Sequence, residues 1–473
     1  MKKIICFGAG KIGTKISSLL SGCGVSVYCF VDNNAGLWST TKYGIPIYSP
    51  DILTEKREFE ILITCKNDKD IVNQLKGMGI DGDSVFSVNT IWKVLTFLDK
   101  DRCFLRGQEI LKKTRFDNNK ILFDLENGLV FGGVETWSFE SQKILKKIGY
   151  DSKYICSDRL PVVIELEKGD TIFYEDFDDY NKKTGGILKA IVDFSSGNFI
   201  VNFAGANLYA ACLAKRIFKK DFRLIAVVHS DHPAYYETYA ALKNYFDYCF
   251  VISSRIKETL LSYGFPEKKI RLIKWLKYCE EKLIRTYSKQ SEPIRIGYAG
   301  RLSVQDKRAD LLCEVILKTY DRGIDATFEI AGTGDYAVEL QKIITANKLD
   351  GKVKFLGFVD SSKISDFWKR QDVMIGCSDR EGHSMTQMEA MSSGAVPIIT
   401  DTSGARDDVS DGNNGYVVPV GDVNAIVEKV EFLCKNRQLL NAMGANAHQH
   451  VKTNNNENCI LDLWKEVLLN AKN

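Results

Sequence analysis

EGHSMTQMEAMSSGAVPI, residues 381–398, is the stretch on which the reading of the fold turns. Ahead of it DVMIGCSD and at its end AVPIITD are apolar runs of strand length, and between them the residues from Ser384 onward read as a helix. Strand, loop, helix and strand in that order are the repeating unit of a parallel sheet. Glu381 and Gly382 then fall at a strand end, and the unpaired N–H groups of Ser384 and Met385 point at whatever occupies the crevice. Upstream, GRLSVQDKR (300–308) places Arg301 just past another strand and Lys307 in the turn before a helix. Two cations beside a helix N-terminus that carries about half a positive charge make a diphosphate site. Glu389 lies further along the helix, ~10–12 Å from Glu381 on a helical rise, against the roughly 5 Å that separates the carboxylates of a retaining glycosidase. The two acids therefore bracket an extended ligand, each gripping hydroxyls at one end of a diphosphate, which is the shape of a nucleotide sugar.

The same alternation extends outward through the chain. KIICF (3–7), SVYCFVD and EILITC (60–65) are strands of a first block, and the pattern gives way to a basic and aromatic stretch from about 91 to 118. A second start, KILFDLENGLVFGGVETWSFESQKILKKIGY, leads into FIVNFAGANLYAACLAKRIF, RLIAVVHSDH and YCFVISS, and a third comes at PIRIGYAGRL. Three doubly wound α/β units in tandem are expected: 1–90, a linker 91–118, 119–290 and 291–455, with a last helix over 456–473 after the polar loop KTNNNENC. With 473 residues the chain is too long for one ordinary core. A net charge of +3 argues against nucleic acid as a partner. Thirteen cysteines, none in a CxxC pair, indicate neither a disulfide framework nor a zinc knuckle, and a cytoplasmic location is expected. No apolar run approaches a membrane span, so any membrane contact would be peripheral, at the inner face.

FGAGKIG near the start has the dinucleotide-turn spacing, Gly8, Gly10 and Gly13 between a strand and a helix, with Asp32 at the end of the next strand placed to bond a ribose hydroxyl. A NAD(P) or nucleotide-sugar ligand fits that turn. An alternative is that the glycines only let the helix pack tightly on the strand. The block is about half of what wraps a whole dinucleotide, and it contains no histidine to assist hydride transfer.

GRL-x4-KR together with EGHSMTQMEA resembles the retaining glycosyltransferase family 4, and GGVE, FLGFVD and SGARDDVSDGNNGYVVPVGD fall in the matching order over about three quarters of the chain. The resemblance implies an α/β GT-B fold, two Rossmann-like domains facing across a cleft, here preceded by a small additional Rossmann-like domain. It implies that 119–290 takes the acceptor and 291–455 the donor, a UDP sugar, with the last helix crossing back to the acceptor side. Arg301 and Lys307 match the diphosphate-binding pair, Glu389 the ribose-binding acid, and Glu381 the acid at the transferred sugar. Gly132 and Gly133 match the glycine loop at the phosphates, and His229 the histidine beside the donor sugar. Gly382, His383, Ser384 and Met385 complete the donor loop, with His383 standing where the family usually has an aromatic or aliphatic residue. Transfer without a metal or other cofactor, to a glycan, lipid-linked or protein acceptor in surface polysaccharide assembly, is what the likeness implies.

His229, Asp231 and His232 in HSDH form a weak metal signal beside a loop explanation, and Asp176 and Asp178 in EDFDDY have the acidic spacing of the manganese-dependent transferase fold. Arg308 is a substitute for Lys307, and His448 and His450 read as surface residues. KRIFKKDFR (215–223) is either a snorkelling helix end or a contact with an anionic membrane. As whole-protein alternatives there remain a non-catalytic ligand-sensing scaffold, against which the full set of charged residues speaks, and a NAD(P)-dependent oxidoreductase acting through Gly8, Gly10 and Gly13.

Overall fold

The computed structural model describes residues 3–22, 25–54, 59–80, 82–88, 115–126, 128–130, 132–158, 166, 169–174, 180–218 and 222–469. Asp176, Asp178 and most of the 91–118 stretch lie outside the described residues. The chain divides into two compact units: Met1–Glu135 with Lys146–Ala226 and Glu237–Asp247, and Thr136–Leu145 with Val227–Tyr236 and Tyr248–Asn473.

In the first unit, the described residues of the N-terminal block hold six strands, more than the sequence runs suggest. Their order is Thr41–Lys42, Ile45–Tyr48, Val27–Val31, Lys3–Phe7, Phe59–Ile63 and Val85–Ser87. All neighbours are parallel except the hairpin of the first two, which the short, half-exposed YGIPIY segment disguises as a loop. Apolar residues cover both faces, Ile4, Cys6, Phe30 and Leu62 on one side and Ile5, Val31, Ile61 and Ile63 on the other. That is why the strands read as unbroken apolar runs. Further along, Asp117–Asp124 lies between Ser196–Val201 and Asp151–Ser157, all parallel, with Thr171–Tyr174 beyond the latter. The basic stretch 215–223 turns charge into this unit. Lys215 Nζ donates to the Phe222 carbonyl (2.6 Å) and pairs with Asp247, while Arg223 Nη1 donates to Asn198 Oδ1 (2.8 Å). These two cations are thereby withdrawn from the membrane-facing set; residues 219–221 lie outside the described residues.

In the second unit, an all-parallel sheet runs in the order Val353–Gly357, Ala326–Ala331, Ile294–Ala299, Val373–Gly376, Val396–Thr400 and Tyr416–Val418. The helices Ala309–Asp321 and Val423–Lys435 bury apolar stripes in one of its cores, and Met385–Ser392 in another. The base of the sheet is fixed by Asp372, which immediately precedes a central strand. Its carboxylate accepts from Ser288 N (3.0 Å) and Oγ (2.6 Å), and from Arg295 N (2.9 Å) and Nη2 (2.6 Å). Burial alone would raise this carboxyl, but the hydrogen bonds from Arg295 and Ser288 outweigh it and hold it below its ordinary value. Toward the C-terminus, helix Gln438–Asn454 continues into the expected polar loop, so KTN is helical. Asn455 is buried, its Nδ2 donating to the Trp275 carbonyl (2.9 Å). Helix Glu457–Leu469 packs Trp464 on Trp137 and Phe250, and Glu466 accepts from Arg271 Nε (2.6 Å).

Gly13 shows why the N-terminal glycines are needed. A Cβ there would lie 1.8 Å from the Gly8 carbonyl oxygen, which itself accepts from Thr64 Oγ1 (2.9 Å). Gly13→Ala is expected to destabilise the first unit by about 1–3 kcal/mol through overpacking, seen in calorimetry as an earlier melting onset; an unchanged onset would show that the helix can move away without loss.

Candidate functional site

The C-terminal ends of strands Ile294–Ala299, Val373–Gly376 and Val396–Thr400 open onto a pocket lined by Tyr298, Lys307, Ser378, Glu381, Ser384 and Thr386, among others. Open α/β sheets bind ligands at this edge. Ser384 caps helix Met385–Ser392, its Oγ accepting from Gln387 N (3.3 Å), and the other N–H groups of the first turn have no partner within the helix. Lys307 is ion-paired with Glu381 Oε1, which also accepts from Ser378 Oγ (2.9 Å). The sequence brings this cation and this acid to one pocket, yet it gives no hint that they meet each other. Arg301 is exposed and has no ion pair among the described residues. Arg308 is no substitute for Lys307. Its guanidinium forks Asp310 (2.8 Å) and Asp379 (3.0 Å), and its hydrogen bonds to Asp310 hold it more firmly protonated than usual.

Among the described residues Glu389 makes no ion pair with Arg301 or Lys307. It lies 3.8 Å from Lys277 Nζ, and burial pushes its carboxyl up, with Lys277 offsetting part of the rise. Gly382 is held by close backbone approach, since a Cβ there would fall 2.4 Å from the His229 carbonyl oxygen. The His229 ring packs edge-on to Trp137, centroids 5.3 Å apart, and near Trp275. Burial holds its imidazole down to about 3, so it is neutral at ordinary pH. In the same loop Asp231 accepts from Tyr236 OH (2.6 Å) and from Ser403 Oγ, which ties HSDH to the segment following Glu381. His232 Nδ1 accepts from Ala234 N (3.2 Å) at the start of helix Pro233–Ala241. Among the described residues no group of three or more His, Cys, Asp or Glu is placed to hold a metal.

Two histidine readings change, those of His448 and His450. His383, expected among the donor-binding residues, has its imidazole directed at Asp408, with Nε2 2.5 Å from Oδ2. His448 is buried between the Ser392 carbonyl (2.6 Å) and the Glu280 carbonyl (3.0 Å), and His450 Nε2 reaches Asp408 Oδ1 (3.1 Å). Neither of the last two is a free surface group. Periodicity does not reveal such partners because they come from distant elements.

The glycine turns are filled by the chain itself. A Cβ at Gly132 would lie 2.2 Å from Glu135 Oε2, so its missing side chain makes room for that buried acid; Gly133 begins helix Gly133–Lys147. At the N-terminus Asp32 accepts from Ala9 N (2.8 Å) and Asn34 N (2.9 Å), while Lys42 Nζ donates to the Ala9 carbonyl (2.7 Å). Gly8 takes φ +115°, and a Cβ at Gly10 would meet nothing within 4 Å.

Residues 280–450 match the family model Glycosyl transferases group 1. Residues 1–86 match a second one, C2185-like, N-terminal. Among curated relatives, the UDP-N-acetylglucosamine–peptide N-acetylglucosaminyltransferase GtfA subunit of Streptococcus pneumoniae is 26% identical over 212 residues, 41% of this chain and 41% of that protein. The poly(ribitol-phosphate) alpha-N-acetylglucosaminyltransferase of Staphylococcus aureus is 27% identical over 37% of this chain and 35% of that one. The chain thus spans under half the length of these relatives. Anabaena HepE in complex with UDP-glucose has a TM-score of 0.62 at 17% identity, covering 74% of this chain and 99% of its own. The fold is therefore α/β of GT-B type, Rossmann-like domains with parallel sheets and an additional N-terminal domain.

The state of Glu389 gives a prediction with a definite sign. The folded chain holds its proton more tightly than the unfolded chain, so folding is favoured as pH falls, and the ionised carboxylate weakens the fold above its ordinary value near 4.5. Glu389→Gln is expected to melt higher than the parent at pH 7–8, the gap closing as pH falls toward 4. A gap of constant size across that range would show that the carboxylate's charge is not what matters.

Proposed function

We propose that the protein is a retaining, metal-independent glycosyltransferase of family 4. In this reading it moves a sugar from a nucleotide diphosphate donor, a UDP sugar, to a glycan, lipid-linked or protein acceptor. The observation that carries the reading is the meeting of Lys307 and Glu381 in a strand-end pocket at the Ser384-capped helix. The relatives named for N-acetylglucosaminyl transfer, and the neighbours solved with UDP and UDP-glucose, support it; the nicotinamide alternative gains no such support. The proposed division keeps 1–90 as the small domain, 119–290 as the acceptor side and 291–455 as the donor side. The setting is cytoplasmic, at the inner membrane face, in surface polysaccharide assembly, a role carried by the capsular polysaccharide relative of Staphylococcus aureus.

In this mechanism the bond between the anomeric carbon and the phosphate oxygen breaks, and the electron pair leaves with the diphosphate. Arg301, Lys307 and the helix N-terminus stabilise that charge, which is the main source of acceleration. Lys307 exchanges Glu381 for the phosphate, freeing Glu381 for the sugar hydroxyls beside the reacting carbon. The acceptor oxygen attacks from the face the phosphate vacates and yields its proton to the departing phosphate, so the configuration is retained. His229, neutral in its aromatic setting, donates to or accepts from the sugar without adding charge. Glu389 takes the ribose hydroxyls, and Gly132 and Gly133 are assigned to the phosphates by the family resemblance.

A donor-hydrolysis and calorimetric binding screen across UDP sugars, other nucleotide sugars and NAD(P) tests this. A UDP sugar is expected to bind and turn over, with Arg301→Ala lowering turnover by about 10²–10³-fold and EDTA leaving it unchanged. Binding of NAD(P) alone would overturn the assignment, and loss of turnover with EDTA would overturn its metal-free form.

A further inference from the structure

We infer that Asp408 is a positioning residue for the loop Glu381–Ser384, holding it through His383, an inference that rests on the nucleotide-sugar reading of that loop. His383 sits between Gly382, whose backbone abuts His229, and Ser384, which caps the helix. Its imidazole is buried, and a buried imidazole needs a polar partner to offset its desolvation. The group facing it is the Asp408 carboxylate, whose Oδ2 stands 2.5 Å from Nε2 as an electrostatic pairing, with both side chains almost wholly shielded from solvent.

Asp408 is itself held from several directions. His450 Nε2 on helix Gln438–Asn454 reaches Oδ1 at 3.1 Å, Lys274 Nζ reaches it at 3.4 Å, and Asn414 Nδ2 donates to the Asp408 carbonyl at 2.9 Å. Burial alone would raise this carboxyl, but the charge of His383, with the hydrogen bond from His450 and the charge of Lys274, holds it far below its ordinary value. A fixed anion thus stands under the loop. The same segment grips the loop by its backbone: Ser403 N donates to the Glu381 carbonyl (3.2 Å), and Gly404 packs against the Gly382 carbonyl. Of the three side chains that reach the carboxylate, His383 belongs to the site loop; the others anchor Asp408 to the scaffold. N–H groups aimed at a phosphate act only when held close to the productive geometry, and such placement is what buried supporting contacts supply. Histidine at 383, where the resembled family usually carries an apolar side chain, thereby acquires a function through a partner 25 residues on.

The test is amide hydrogen exchange of the full-length protein, together with UDP affinity by calorimetry. In Asp408→Asn the peptide covering residues 381–387 is expected to exchange about tenfold faster, while peptides from Ile294–Ala299 and Val423–Lys435 keep the parent rate. His383→Phe should do the same, the double variant should exceed neither, and UDP should bind about tenfold more weakly to each. If Asp408→Asn does not fold, His383→Phe decides alone. Parent-like exchange at 381–387 in a folded variant, or acceleration spread evenly over the chain, would overturn the inference. Failure of the parent to bind UDP would instead remove the nucleotide-sugar reading, while the exchange rates still report whether Asp408 holds the loop.

Discussion

The carboxylate of Asp372 is the constraint beneath the second unit. Buried at the start of a central strand, it gathers Ser288 and Arg295, and its own backbone carries the sheet onward, Asp372 N donating to the Arg295 carbonyl (2.8 Å) and Val396 N to the Asp372 carbonyl (2.9 Å). Arg285 adds a second grip from the same segment, donating to the Ser393 carbonyl (2.9 Å) at the far end of the Ser384-capped helix. Removing one member of such a buried set leaves the others uncompensated, at about 3–5 kcal/mol. The strands are thus registered at the end away from the pocket, which lets the other end carry charged, half-exposed loops that add little to stability.

That other end is arranged around compensation. Lys307 and Glu381 neutralise one another, Lys277 partly offsets Glu389, and Asp408 answers His383, each pairing an acid with a cation or imidazole. Arg301 stands apart, exposed. The proposed reaction needs Lys307 to change partners, and a pair whose side chains are about one-fifth to one-quarter exposed can do so more readily than one sealed like Asp372 with Arg285.

Much of this was legible in the sequence because it is local. Strand runs such as KIICF and VMIG, the start of a helix at Ser384, and the placement of Arg301 and Lys307 between a strand and a helix follow from residue type and spacing. What was not legible depends on pairing across many residues. Nothing near Arg308 announces Asp379, nothing near His448 announces Glu280, and the antiparallel hairpin Thr41–Tyr48 is too short and exposed to show a clean alternation. The polar run KTNNNENC misled for a related reason: asparagines suggest a loop, yet Asn455 is buried because its amide satisfies a distant carbonyl.

The N-terminal turn carries a consequence of its own. Its backbone N–H at Ala9 already bonds Asp32, and the Ala9 carbonyl already holds Lys42. A ribose or phosphate arriving there would exchange one hydrogen bond for another, so the enthalpy released would be only the difference between two similar contacts. The turn is thus hydrogen-bonded within the chain before any ligand arrives. Binding at this place would therefore release little heat, and its mark would be a melting temperature that rises with ligand concentration relative to the dissociation constant.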